Sequence, residues 1–90
     1  MQLCKVVGNV WATRKNEKLD GLKFLIVQNI NLDGSLKSTY TVATDSVGAG
    51  VGEIVLTASG SSARQTELTS DKPVDTVVMA IVDRYDIPAA

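Results

Sequence analysis

Ninety residues carry nine Lys/Arg against ten Asp/Glu and no histidine, for a formal charge of −1 and a hydrophobic fraction of 44%. That length holds one domain with a real core, over residues 1–90, and leaves no room for a doubly wound nucleotide fold. The charge balance excludes a basic nucleic-acid stripe, and the missing histidine excludes His–carboxylate metal sites and His-based triads.

Residues 3–13 form the first predicted strand, rich in valine, with Gly8 as a bend or bulge. Cys4 lies in this strand, where a small buried hydrophobe is expected; as the single cysteine it allows no intramolecular disulfide and fits a reducing cytosol. The opening Met1-Gln2-Leu3-Cys4-Lys5 enters a strand pattern at once, which predicts no signal peptide. The apolar runs are too short to span a bilayer.

The cluster Arg14-Lys15-Asn16-Glu17-Lys18 reads as a solvated loop rather than a phosphate patch, and Leu19-Asp20-Gly21 as a turn. Residues 22–28 are the second strand, and Asp33-Gly34 gives the hairpin signal before a third strand over 38–44. Residues 53–58 are the fourth strand. A short helix is expected over 61–68 with Ser61 as N-cap, then a turn at Asp71-Lys72-Pro73 and a fifth strand over 74–83. The prediction is an all-β chain forming a small five-stranded OB-like barrel, with one short helix before the last strand; a sandwich is the alternative.

Two strands are apolar on both faces. Val74, Thr76, Val78, Ala80 and Val82 are expected to face one way and Val77, Met79 and Ile81 the other; Leu22, Phe24 and Ile26 oppose Leu25 and Val27. A strand with one wet face should alternate. The outer face therefore meets another subunit or is covered by loops.

Gly48, Gly50 and Gly52 echo a dinucleotide-binding turn. That turn needs a following helix, and Glu53-Ile54-Val55-Leu56-Thr57 reads as strand, with no Gly-Lys-Ser/Thr for a P-loop. An OB-like barrel raises nucleic-acid binding as the rival reading. The aromatics Trp11, Phe24, Tyr40 and Tyr85 sit singly among neutral neighbours rather than as stacking platforms. Asp45, Glu53, Asp75 and Asp83 flank strands and read as turn and cap carboxylates. No base stands beside Ser59, Ser61 or Ser62, so no catalytic residue, metal site or cofactor is expected.

Four segments together resemble a known family. They are Met1-x-Leu3-x-Lys5-Val6-x-Gly8-x-Val10 with Ala12-Thr13-x-Lys15; residues 22–27; Asp45-Ser46-Val47-Gly48-Ala49-Gly50-x-Gly52-Glu53 with Gly60-Ser61-Ser62-Ala63-Arg64; and Pro73-Val74-Asp75 with Ala80-Ile81-Val82-Asp83. The chain is similar to the vertex proteins of bacterial microcompartment shells, found in carboxysomes and in ethanolamine- and propanediol-type metabolosomes. A short hairpin around 31–38 and an early end after Asp83 depart from the pattern.

The resemblance implies a homopentamer of β-barrels in the bacterial cytoplasm, capping the five-fold vertices of a shell whose facets are hexameric and trimeric proteins of another fold. It implies a structural protein with no enzymatic activity, cofactor, nucleic acid or membrane. On that reading Gly48, Ala49, Gly50 and Gly52 pack near the subunit interface or the five-fold axis, with Gly50 at a close contact or a positive φ. Ser61, Ser62 and Arg64 would join them, Arg64 reaching a neighbour's carboxylates or carbonyls. The alternative is that these residues only shape an intrachain turn.

Overall fold

Five runs of β-branched and aliphatic residues pair into strands: β1 (Gln2–Val10), β2 (Lys23–Ile30), β3 (Leu36–Asp45), β4 (Ile54–Ser59) and β5 (Thr76–Val82). The computed structural model describes residues 1–12 and 15–85. Thr13, the expected end of the first strand, and Arg14 of the basic loop lie outside the described residues. Two short 3₁₀ turns, Glu17–Leu19 and Gly60–Arg64, complete the elements.

The strands close a five-stranded barrel, as the sequence predicts, in the order β1-β2-β3-β5-β4. All neighbours are antiparallel except β3 and β5, which run parallel and pair only at Thr44↔Val77 and Asp45↔Val78. The β2–β3 turn forms at Asp33-Gly34. Asp33 Oδ1 accepts from Ser35 Oγ at 2.6 Å and from Ser35 N at 2.9 Å, and Gly34 takes φ 94°.

Inside the barrel Cys4, Val6, Leu25, Val27, Ala43, Val55 and Val78 form one core, which Ala49 joins from the loop between β3 and β4. The expected bulge near Gly8 is present: β1 pairs with β2 at Val6↔Val27 and then Gly8↔Ile26, leaving Val7 exposed.

The last strand departs from the expected alternation. β4 and β5 pair at Leu56↔Ala80 and then Thr57↔Val78, so Met79 is an extra residue. That bulge moves Ala80 and Val82 to the outer side, opposite half-buried Leu56 and Ile54, while Val78 stays in the core. Val77 faces outward but is fully buried, because Ala63 of the second 3₁₀ turn covers it together with Ala58 and Met79. Here the second apolar face is covered by the chain itself.

The expected helix over 61–68 is a 3₁₀ turn over Gly60–Arg64, with Ser59 rather than Ser61 at the cap position. Hydroxyls stop its propagation. The Ala63 carbonyl accepts from Thr69 Oγ1 at 2.6 Å, and Thr66 Oγ1 accepts from Thr69 N at 3.0 Å. Thr69 is fully buried in this arrangement.

The outer faces of β1, β2 and β3 have no such cover among the described residues. Register lines up Val10 with Phe24 and Gly8 with Ile26 and Val42. Val10, Phe24 and Ile26 are half-buried and Val42 is exposed.

Candidate assembly site

The glycine loop connects β3 to β4 and is built on two carboxylates. Asp45, the last residue of β3, is buried; its Oδ1 accepts from the N–H groups of Val47 and Gly48 at 3.1 Å and of Ala49 at 3.2 Å. Glu53 Oε1 accepts from Gly50 N at 2.6 Å. Asp45 and Glu53 are thus cap residues, as their positions beside strands suggest. The loop is also tied to β1, where Gly52 N donates to the Val6 carbonyl at 2.8 Å and Val6 N to the Glu53 carbonyl at 2.9 Å.

Glycine is required at Gly48 and Gly52, where φ is 79° and 95°. Of the two alternatives expected at Gly50, a close contact or a positive φ, the second is absent; a Cβ there would meet Glu53 Oε1 at 3.4 Å, so what constrains the position is its proximity to the carboxylate. Ala49 points inward and is 1% exposed. The loop resembles an anion-binding nest in which the chain's own acids occupy the donors. Those backbone N–H groups are spent, which argues against a phosphate cradle here.

Gly60–Arg64 lies at the opposite end of β4. Gly60 N donates to the Asp75 carbonyl at 2.8 Å, and Arg64 Nη1 donates to the Val74 carbonyl at 3.0 Å. Ser61, Ser62 and Arg64 are exposed. The two sequence blocks are therefore separate, divided by the six residues of β4. A groove lined by Ser46, Thr66, Glu67 and Leu68 takes one residue from the first block and none from the second.

Trp11 is 88% exposed and shares a groove with Phe24, Lys15 and Lys23. The aromatics are thus not all isolated, which sequence spacing could not reveal, since β1–β2 pairing brings Phe24 beside Val10. Cys4 is buried beside Asn29 and Thr57, its Sγ donating to Asn29 Oδ1 at 3.1 Å; burial pushes its thiol above the ordinary value, against a smaller lowering from Thr57 and Lys37. No group of three or more His, Cys, Asp or Glu side chains clusters as metal ligands among the described residues.

The family model described as "Ethanolamine utilisation protein EutN/carboxysome" matches residues 1–83. The chain belongs to the EutN/CcmL family. A EutN/CcmL relative, the carboxysome shell vertex protein CcmL of Thermosynechococcus vestitus, is 45% identical over 83 residues, 92% of this chain and 84% of that one. The solved structure of Gloeobacter violaceus CcmL superposes with TM-score 0.93 at 41% identity, covering 97% of this chain and 90% of the other. The pentameric microcompartment shell protein GrpN from Rhodospirillum rubrum superposes with TM-score 0.90 at 42% identity, covering 98% of this chain and all of the other.

Proposed function

We propose that five copies of this chain close into a ring that caps a vertex of a bacterial microcompartment shell in the cytoplasm. The observation that carries this reading is the full-length likeness to a pentameric shell protein, GrpN, with TM-score 0.90. Relatives named as shell vertex proteins occur in carboxysomes and in other microcompartments. The function is structural: the ring supplies the pentagonal unit that a flat hexagonal sheet lacks, and its outer rim meets hexameric and trimeric facet proteins.

Ring closure needs a heterologous interface, in which two different surfaces of each copy meet. The uncovered apolar row of Val10, Phe24, Ile26 and Val42 supports one such surface, and the glycine loop with Gly48, Ala49, Gly50 and Gly52 supports the other. Arg64 commits Nη1 to its own chain, so a bridging role falls to its remaining donors, with exposed Ser61 and Ser62 beside it. No reaction step is assigned to the chain, in keeping with relatives named as shell proteins and with a Cys4 thiol that is buried and hard to ionise.

Native mass spectrometry of the purified protein tests the assignment. A pentamer that persists in high salt is the expected result, and a concentration-independent monomer would refute it. Oligonucleotide binding that weakens with salt would instead favour the Trp11 groove as a nucleic-acid site.

A further inference from the structure

Four consecutive backbone N–H groups, from Val47 to Gly50, are all held by two carboxylate oxygens of the same chain. Between the left-handed Gly48 and Gly52 and just before them, the clamped loop turns Ala49 into the core and leaves two valines in water. Val47 is 39% exposed and Val51 60%. Each acid turns a carboxylate oxygen to the loop's own backbone donors.

The same chain carries a second apolar surface, the row of Val10, Phe24, Ile26 and Val42, flanked at its Val10–Phe24 end by Lys15 and Lys23. A ring requires two unlike, mutually complementary faces on every copy. A contact loop whose ordering is already complete in the free subunit also loses less entropy on association.

We propose that Asp45 and Glu53 are positioning residues for ring assembly: their carboxylates fix the loop so that Val47 and Val51 of one subunit dock on the adjacent copy. This rests on the reading of the chain as a ring-forming vertex protein. The acids touch no neighbour. They act through the backbone they hold.

The experiment compares Glu53→Ala, Glu53→Gln, Asp45→Asn and Val51→Asp with the wild type, following ring dissociation on dilution by native mass spectrometry and fold by circular dichroism. Glu53 is half-buried, so its variants carry the test even if Asp45 variants fail to fold. Val51→Asp should be folded and monomeric. Glu53→Ala should dissociate at roughly tenfold higher concentration with its β signal unchanged. Glu53→Gln and Asp45→Asn keep an acceptor oxygen and should stay within about threefold of wild type. Added formate or acetate should restore Glu53→Ala rings by filling the vacated acceptor position; a purely bulk structural role would not respond to it.

Wild-type rings with Glu53→Ala dissociating as wild type, alongside a monomeric Val51→Asp, would remove the positioning role and leave the ring reading intact. Intact Val51→Asp rings would overturn the docking and assign the valines to a different partner. A monomeric wild type would refute the ring reading itself.

Discussion

Glycines at 48 and 52 and the cysteine at 4 are the positions where single atoms matter most. Gly52 has φ 95°, so Gly52→Ala forces a left-handed alanine at a cost of about 1–2 kcal/mol. For a domain of this size we expect the melting temperature to fall by roughly 4–15 °C, measured by calorimetry. Gly50→Ala, with no left-handed φ, should cost less stability and act instead by crowding the Glu53 carboxylate. Cys4 gives a pH prediction. Burial raises its folded-state thiol above the ordinary value near 9.0, so the unfolded chain ionises first as pH rises. The stabilising difference is complete below that ordinary value and is lost as pH climbs toward the folded-state value. Cys4→Ala should therefore lose less stability than wild type between about pH 8 and pH 10, in melts at matched ionic strength. An equal loss in both proteins would place the alkaline sensitivity elsewhere.

At the scale of elements, local chemistry decides what the sequence could tell. The Asp33-Gly34 turn and the irregularity at Gly8 were readable because each is set by a residue with a special backbone role. A small five-stranded barrel followed from the number, length and spacing of the strands; their order around it did not, because the β1–β4 and β3–β5 pairings are non-local. The bulge at Met79 was not readable: nothing in a valine-rich run marks which residue is extra, and the register with β4 decides it. The helix over 61–68 failed for a reason visible only in three dimensions, since buried Thr69 takes the Ala63 carbonyl that an α-helix would have used. Thr69→Val keeps the shape but leaves that carbonyl without its hydroxyl partner, at an expected cost of about 1–3 kcal/mol in denaturant unfolding. Of the candidate site, the glycines and Arg64 stood out in the sequence as neighbours, but the structure sets them at opposite ends of β4. Their carboxylate anchors were legible only as caps, and the outward valines not at all, because exposure depends on how the loop seats Ala49.

Over the whole molecule the barrel depends on pairs far apart in sequence. β1 meets β4 about fifty residues on, at Cys4↔Val55, and the final seam between β3 and β5 rests on Thr44↔Val77 and Asp45↔Val78. Such non-local closure is slow to form compared with local hairpins. Amide exchange should find the Thr44–Val78 region opening before the β2–β3 hairpin, whose ladder runs along nearly all of both strands. A seam that exchanges with the most protected amides would contradict this. In the cell, deletion of the gene should leave shells elongated or unsealed while the enclosed enzymes stay active in lysate, as electron microscopy and assays would show.

Asp45 belongs to that seam and to the loop at once: it pairs with Val78 across the barrel, its carboxylate gathers the loop, and neighbouring Ser46 Oγ donates to the Val78 carbonyl at 2.7 Å. The loop gains its full set of bonds only once the barrel has shut, because the Ser46 hydroxyl needs the Val78 carbonyl of β5. On the proposed assembly, a half-folded subunit has no edge to offer and is passed over by the growing ring. Quality control is then written into the order of folding, and a corner of the shell admits finished parts only.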